Sequence, residues 1–177
     1  NLQMFLYLFN VCADGSNPYA GVPAGVLYMH AARSVMTVET KRSAEKDIAG
    51  QEDKAFGMNG IVITNPDCDI PAAMEHDLAG KYIPVRLKKS GVGGSLASLE
   101  QLGLLQRKIE ALVADMGNAL QNGQIGQHPV QAKDHDKTCE YCDFASVCAF
   151  KKSVTPRTYD DQTDSAVLAE LEKEGEN

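Results

Sequence analysis

Apolar residues recur at steps of three and four in two stretches of the chain, and this spacing predicts two amphipathic helices. The first covers residues 2–13, with Leu2, Phe5, Leu6, Phe9 and Ala13 on one face. The second covers residues 98–122, with an apolar stripe that runs from Leu99 to Leu120. Ser98 and Gln101 have the spacing of a capping box, and Gly123 is a suitable stop. We expect the stripe to pack in a core or an interface.

Shorter apolar runs between the two helices predict strands. Residues 24–31 are apolar on both faces and bounded by turn residues, which is typical of a buried strand. Residues 60–64 predict a second short strand, closed by Asn65-Pro66. Residues 82–89 alternate, with Ile83, Val85 and Leu87 on one face and Arg86 and Lys88 on the other, so they predict a half-buried strand.

The remaining segments predict connections. Residues 70–78 are expected to form a short helix opened by Pro71, and residues 90–94 a flexible glycine-rich turn. Residues 37–54 are polar and predict a loop or an exposed short helix. Together the pattern predicts an α/β fold, a short central sheet flanked by helices.

Charge is distributed unevenly along the chain. The formal net charge is −7, and residues 160–177 alone carry −6 of it. These residues predict a solvated helix end or a disordered acidic tail. The rest of the chain is near neutral, which excludes a free-standing basic DNA-binding module. No apolar run reaches the roughly 18 residues that span a bilayer, so no membrane association is expected.

The cysteines supply the strongest chemical signal. The chain has five of them, and Cys139, Cys142 and Cys148 follow a Cys-x2-Cys-x5-Cys spacing. An odd number does not suit a disulfide framework, whereas clustered thiolates are typical of a metal or cluster site in a reducing compartment. We therefore predict a metal site and a cytoplasmic protein.

The fourth ligand of this site is open. His135 would complete a zinc site, whereas an iron–sulfur cluster requires four thiolates. Cys12 and Cys68 are candidates only if the fold brings them close, and Cys12 is expected to be a small core residue. The interleaved apolar residues, expected to form a shell that excludes water, are Tyr141, Phe144, Val147 and Phe150.

The beginning of the chain has neither an initiator Met nor a basic segment before its apolar run, so we expect neither a signal peptide nor a natural N-terminus. On this interpretation the sequence is an excised fragment. Its first helix would expose Phe5, Leu6 and Phe9, and this apolar patch predicts self-association of the isolated fragment.

Several motifs in this order resemble one family. They are Leu2-Gln3-Met4-Phe5-Leu6-Tyr7, Val22-Pro23-Ala24-Gly25-Val26-Leu27-Tyr28, Met58-Asn59-Gly60-Ile61-Val62, Tyr82-Ile83-Pro84-Val85, and the cysteine segment. The order is similar to the C-terminal part of the AddB subunits of ATP-dependent AddAB helicase–nucleases, in the RecB-like group of the PD-(D/E)XK nuclease superfamily. The resemblance covers roughly residues 1–150 and implies part of a nuclease domain (1–138) and a cysteine segment (139–150). Residues 151–177 lie outside it and are expected to form an acidic tail.

The resemblance implies roles for two residues of the first helix. In this family one Asp, together with a second Asp and the Lys of an Asp-Tyr-Lys stretch, binds Mg²⁺ and activates water, and a Gln-x3-Tyr motif follows on the next helix. Gln3 and Tyr7 match that last motif and would hydrogen-bond to catalytic groups or to a DNA phosphate. No stretch matching the Mg²⁺-binding carboxylates occurs in the sequence. We therefore expect the fragment alone to be inactive.

The resemblance also implies a cofactor and partners. Cys139, Cys142 and Cys148 would bind a 4Fe–4S cluster with a fourth cysteine from outside this chain, unless zinc replaces the cluster. The implied function is the processing of double-strand DNA ends for recombinational repair, with DNA and an AddA-type helicase–nuclease subunit as partners. The alternative is a small zinc-binding interaction module without catalytic activity, completed by His135.

Overall fold

The structure of the chain, a computed structural model, describes residues 2–29, 55–124, 129–132, 142–148 and 157–175, with the single positions 31, 48, 50, 51, 126 and 139. Most of segment 37–54 and the predicted ligand His135 lie outside these residues.

Helices and strands alternate through the described residues. The helices are α1 (Leu2–Ala13), α2 (Ile70–Met74), α3 (Leu99–Gln121), α4 (Ala145–Cys148) and α5 (Asp164–Gly175). The strands are β1 (Gly25–Tyr28), β2 (Asn59–Thr64), β3 (Val85–Lys88), β4 (Gly91–Gly94), β5 (Leu96–Ser98), β6 (Val130–Ala132) and β7 (Arg157–Tyr159). The predicted α/β class is confirmed. The chain divides into two compact units, residues 1–109 with 168–177, and residues 110–167.

The first unit is built on a three-stranded sheet in the order β1-β2-β5. Strand β2 pairs antiparallel with β1 and parallel with β5. Gly60 of β2 lies opposite Leu27 at a φ of +140°, and a Cβ there would lie 2.0 Å from the carbonyl oxygen of Val26. Only glycine therefore allows β1 and β2 to approach this closely.

The two faces of this sheet bury different clusters, because neighbouring residues of a strand point to opposite sides. Ile63 packs with Ala97, Leu102 and Leu168, and the half-buried Phe5, Leu8 and Phe9 of α1 cover this cluster. On the other face, Val62 packs with Leu78, Ile83 and Val85. The central sheet is thus covered by helices on one side and by the 78–85 segment on the other.

Helix α1 is anchored rather than exposed. Phe5, Leu6 and Phe9 are half-buried, and the rings of Phe5 and Phe9 lie 6.3 Å apart against the core. The predicted exposure of these three residues is therefore wrong, and the reason given for self-association does not hold. The helix ends at Ala13. The carboxylate of the next residue, Asp14, accepts hydrogen bonds from the hydroxyl and the N–H of Ser16, and these lower its pKa.

The predicted capping box of α3 is confirmed. The Ser98 hydroxyl accepts from the Gln101 N–H at 3.1 Å, and Gln101 Oε1 accepts from the Ser98 N–H at 2.8 Å. Gly123 follows the helix with a φ of +67°, as a helix stop requires. The predicted packing of the apolar stripe of α3 applies to only part of the helix. Leu102 and Ile109 are buried, but Leu112, Val113, Met116 and Leu120 are exposed.

The glycine-rich segment differs from its prediction. Residues 91–94 form strand β4, which pairs antiparallel with β3 around a turn at Lys89 and Ser90. Cross-strand hydrogen bonding overrides the low strand propensity of glycine here. Leu87 is 64% exposed, contrary to its predicted burial, because it lies near the tip of the hairpin, opposite the exposed Val92.

The acidic end of the chain is not a wholly solvated tail. Helix α5 buries Leu168 and Leu171, and Leu168 belongs to the core cluster of Ile63 and Leu102. Two polar contacts join α5 to α3: Lys108 to Glu174 at 2.6 Å and Gln101 to Glu172 at 2.8 Å. The acidic side chains face solvent while two leucines supply the packing.

The second unit contains a two-stranded parallel pair, in which Val130 lies opposite Arg157 and Ala132 opposite Tyr159. It also contains the short helix α4 within the cysteine segment. Among the residues that the structure describes, no helix has the length and apolar character needed to cross a membrane.

Candidate functional site

Gln3 and Tyr7 lie together on the exposed face of α1. The Gln3 side-chain amide donates a hydrogen bond from Nε2 to the Tyr7 hydroxyl oxygen at 2.5 Å. Their spacing of four residues places the two side chains one helical turn apart. The opposite face of α1 packs on the core through Phe5, Leu8 and Phe9. The helix is therefore held in place by its apolar face and presents the polar pair outward.

This arrangement fixes what the pair can do chemically. The Tyr7 hydroxyl oxygen accepts a hydrogen bond from Gln3. The hydroxyl proton of Tyr7 can therefore be donated to another acceptor, such as an anionic oxygen. Tyr7 is 52% exposed, so a ligand can reach it. The pair can bind and orient a ligand, but an amide and a phenol do not supply the negative charge that holds a divalent cation.

Acidic metal ligands do not accompany this pair in the described part of the chain. Within it, no three His, Cys, Asp or Glu side chains lie close enough together to hold a metal ion. The structure therefore brings Gln3 and Tyr7 together, and the described residues supply no carboxylate cluster beside them.

The cysteine segment is only partly assembled. The Cys142 N–H donates to the Cys139 carbonyl oxygen at 3.4 Å, so these two cysteines flank a tight turn. Cys148 ends α4, where its N–H donates to the Phe144 carbonyl oxygen at 2.9 Å. Cys139 and Cys148 are half-buried and Cys142 is exposed. The three thiols have suitable chemistry for a metal, but they do not converge in this arrangement.

The apolar shell predicted around these cysteines is wrong for two of its members. Phe144 is 73% exposed and Val147 is 83% exposed. Tyr141 and Phe150 lie outside the described residues. Cys68 is exposed, whereas Cys12 is half-buried. Cys12 borders an open groove of about 290 Å³ between α1 and the start of α3, lined also by Phe9, Leu102 and Gln106.

Glu75 is a buried charge that the sequence pattern did not reveal. Its side chain is 8% exposed, and its carboxylate accepts from the N–H groups of Lys81 at 2.9 Å, Tyr82 at 3.1 Å and Ile83 at 3.1 Å. Burial acts to raise the pKa of Glu75, but the backbone hydrogen bonds outweigh it and the pKa lies below its ordinary value. Glu75 is therefore ionised at neutral pH and orders the 80–83 loop.

No short motif predicts this role. The donors lie six to eight residues after Glu75 and are backbone groups, so they leave no side-chain signature. The available signal is indirect: Glu75 follows the short helix α2 and precedes a segment with a glycine at φ +71°, Gly80.

Comparison with known proteins agrees with the resemblance seen in the sequence. A profile of the PD-(D/E)XK nuclease superfamily matches residues 1–149. A relative from Oceanobacillus iheyensis, the B subunit of an ATP-dependent helicase/deoxyribonuclease, is 31% identical over 99% of this chain. Proteins of the same name from Bacillus thuringiensis and Bacillus anthracis are each 30% identical over 98% of it.

The matches cover nearly all of this chain but only a small part of each relative. This chain spans about 16% of the length of the relatives it matches. The matches extend through the acidic end, beyond the roughly 150 residues that carry the resemblance in the sequence motifs. They support the nuclease interpretation rather than a separate zinc-binding module.

Proposed function

Because the chain belongs to the PD-(D/E)XK nuclease superfamily, we propose that it is the C-terminal part of a subunit of an ATP-dependent helicase–deoxyribonuclease. The whole subunit would process double-strand DNA ends for recombinational repair by Mg²⁺-dependent phosphodiester hydrolysis. The superfamily match across residues 1–149 carries this proposal. The mixed fold, with a short sheet between helices, is consistent with it.

Gln3 and Tyr7 would act as positioning residues at the nuclease site. The hydrogen bond between them and the exposure of Tyr7 support this role. The Tyr7 hydroxyl would donate to a DNA phosphate oxygen or to a catalytic group, with Gln3 fixing its direction. A bound Mg²⁺ ion would lower the pKa of the attacking water and offset the phosphate charge. Its carboxylate ligands are expected on an Asp-Tyr-Lys strand that precedes α1 in the longer subunit.

A cleavage assay tests this proposal. We expect this chain alone to leave linear double-stranded DNA intact with Mg²⁺, and a chain extended through the preceding strand to cleave it. In the extended chain, Tyr7→Phe and Gln3→Ala should lower kcat by about 10- to 100-fold, the range for loss of a positioning contact. Asn10→Ala, on the exposed surface of the same helix, should retain activity. Cleavage by the short chain would point to a different active site.

Cys139, Cys142 and Cys148 would hold a 4Fe–4S cluster in the intact protein. The support is the donor set, three thiols on a short segment of which two flank a tight turn. A fourth thiolate would come from outside this chain, and such a site would join distant segments and stabilise the fold.

Metal analysis separates the cluster from zinc. Anaerobic preparation of the longer protein should give iron and sulfide together, and Cys142→Ser should remove both. Cys68→Ser, an exposed cysteine outside the segment, should leave them unchanged. If this chain instead binds one equivalent of zinc that is lost in His135→Ala, the site is a zinc site and the cluster assignment is wrong.

The partners follow from the names of the relatives. Each relative is the B subunit of its enzyme, which implies a companion subunit, and a deoxyribonuclease implies DNA. We propose an AddA-type helicase–nuclease subunit as that companion, ATP hydrolysis by the assembled complex, and a cytoplasmic location, which suits cysteines that form no disulfide. Copurification of a tagged longer chain with the companion tests this assembly, and a tagged chain that purifies alone would contradict it.

A further inference from the structure

The β3–β4 hairpin is rich in basic residues, and the nearest acids in the sequence are Asp77 before it and Glu100 after it. Residues 78–99 contain Lys81, Arg86, Lys88 and Lys89 but no Asp or Glu, and all four basic residues are exposed. No ion pair among the described residues involves Arg86, Lys88 or Lys89. The hairpin itself therefore carries a net positive charge, although the chain as a whole carries −7.

Two of these residues share one side of the hairpin. Arg86 and Lys88 are alternate residues of β3, so they point to the same side and lie about 6.8 Å apart along the strand. Their partners on β4 are Gly93 and Gly91, which have no side chains. We call Arg86, Lys88 and the adjoining turn residue Lys89 the basic face. Because glycines lie opposite, nothing on β4 prevents a bulky anion from approaching it.

Glycines also determine where the basic side chains lie. A Cβ at Gly93 would lie 3.3 Å from Cδ, Cε and Nζ of Lys88. A Cβ at Gly80 would lie 3.1 Å from the Cβ of Arg86 and 3.9 Å from its Cδ. The two side chains therefore extend across surfaces that only glycine leaves open.

The loop beneath the basic face is fixed by Glu75. Its carboxylate binds the N–H groups of Lys81, Tyr82 and Ile83, and so holds the segment that contains Gly80 against the hairpin. The Leu87 N–H also donates to the Leu78 carbonyl oxygen at 2.8 Å, which ties β3 to the same segment. The basic face is thus built on an ordered loop before any ligand arrives.

We propose that the basic face binds the phosphate backbone of DNA. This inference rests on the proposed function, which supplies DNA as the substrate. A spacing of about 6.8 Å along the strand lets the two side chains contact different phosphates of one DNA strand. Phosphate contacts carry no sequence information directly, so a contact of the basic face with the backbone should be independent of sequence.

The negative net charge of the chain does not prevent this contact. At about 0.1 M salt, exposed charges separated by more than about 10 Å are largely screened. Of the acids at residues 160–177, Glu172 and Glu174 contact Gln101 and Lys108 rather than the basic face. Three phosphate contacts are too few for tight binding alone, so the basic face would add to contacts made elsewhere in the subunit.

Fluorescence anisotropy with a short DNA duplex, in EDTA to prevent cleavage, tests the proposal. At about 0.1 M salt each lost phosphate contact should weaken binding about five- to tenfold, so in the longer chain the triple variant Arg86→Gln/Lys88→Gln/Lys89→Gln should lose about 100- to 1000-fold in affinity. The slope of log K against log salt concentration should fall by about two to three. Circular dichroism confirms that the variants fold.

Single variants provide the matched control. Arg86→Gln and Arg107→Gln each remove one exposed arginine charge, but only the first should weaken binding and lower the salt slope. Gly93→Ala keeps every charge and displaces Lys88, so it should lose a fraction of the affinity lost in Lys88→Gln. Equal effects of Arg86→Gln and Arg107→Gln would overturn the proposal, because binding would then reflect net charge alone.

Two further outcomes identify the source of any failure. If polyglutamate competes for the wild-type chain more strongly than DNA does, the basic face binds an acidic protein segment and the DNA assignment is wrong. The readout is binding rather than cleavage, so it is independent of the nuclease assay. A longer chain that cleaves DNA, and that binds DNA equally tightly with and without the triple substitution, would overturn this proposal but leave the proposed function standing.

Discussion

Replacing Glu75 with Gln tests the most specific contact of the fold. The change keeps the shape of the side chain and removes its charge. The carboxylate uses both oxygens, one for the Lys81 N–H and the other for the N–H groups of Tyr82 and Ile83. An amide has only one oxygen, so at least one backbone N–H must face an NH₂ group that cannot accept. At 8% exposure, water does not replace the lost acceptor.

The expected magnitude follows from these contacts. A buried N–H left without an acceptor costs about 1–3 kcal/mol. The surviving hydrogen bonds change from charged to neutral acceptors, and each loses about 0.5–1 kcal/mol. We therefore expect Glu75→Gln to lower the free energy of unfolding by about 2–4 kcal/mol, a large part of the roughly 5–15 kcal/mol available to a domain.

The effect should depend on pH in a defined direction. The pKa of Glu75 is lower in the folded chain than its ordinary value, so the unfolded state binds more protons in this range. The stabilising contribution is present above the unfolded-state pKa and is lost as the pH falls through the folded-state pKa. The wild-type chain should therefore lose stability below about pH 4.5 more steeply than Glu75→Gln.

Urea unfolding followed by circular dichroism, at pH 7 and at several lower pH values, measures both effects. Glu170→Gln removes a charge from the exposed surface of α5 and is the matched control. We expect the control to change stability by less than about 0.5 kcal/mol. The reasoning is refuted if Glu75→Gln and Glu170→Gln unfold alike at pH 7, or if the difference between wild type and Glu75→Gln stays constant as the pH falls.

The remaining predictions concern packing and backbone, each measured by urea unfolding at pH 7. Leu168→Ala should lower the free energy of unfolding by about 2–5 kcal/mol because Leu168 is buried, whereas Leu120→Ala, at 73% exposure, should change it by less than about 0.5 kcal/mol. Gly60→Ala should destabilise by about 3 kcal/mol or more, because its Cβ would overlap the Val26 carbonyl at a strained φ. Gly117→Ala in α3, where a Cβ meets nothing within 4 Å, should stabilise by about 0.5–1 kcal/mol. Indistinguishable results within either pair would contradict the burial or the backbone geometry assigned to it.

Local signals in the sequence predicted the parts of the fold that local contacts determine. The capping box of Ser98 and Gln101 uses atoms within three residues, so its sequence spacing was sufficient. The same holds for Gln3 and Tyr7, whose hydrogen bond spans one helical turn. Helix α1 and strand β2 were likewise recognisable, since each has an uninterrupted apolar pattern.

Features determined by distant partners were missed. Residues 91–94 have the composition of a turn because glycine favours turns, and only pairing with β3 makes them a strand. Leu168 and Leu171 were obscured by the acids around them, and their burial depends on contact with residues far away in the chain. The charge of Glu75 gave no sign of burial, because its hydrogen-bond donors are backbone groups of a later loop.

Glu75 and the hairpin belong to one connected piece of backbone. The Met58 N–H donates to the Tyr82 carbonyl oxygen at 2.7 Å, and the Val62 N–H donates to that of Ser95 at 3.0 Å. These bonds join the loop and the hairpin to the central sheet on both sides of β3. The backbone that carries the basic face is therefore ordered when the chain folds. Binding an anion then requires less loss of conformational entropy, which favours affinity.

This connection implies that the buried anion and the basic face act together. The carboxylate of Glu75 fixes the backbone from which Lys81 extends and beside which Arg86 lies. Neutralising Glu75 removes a negative charge and no positive charge, so electrostatics alone would strengthen the attraction for DNA. The substitution also loosens the loop, and this loosening weakens DNA binding. Glu75→Gln should therefore weaken DNA binding while leaving the salt slope nearly unchanged, because the phosphate contacts keep their number and lose only their preorganisation.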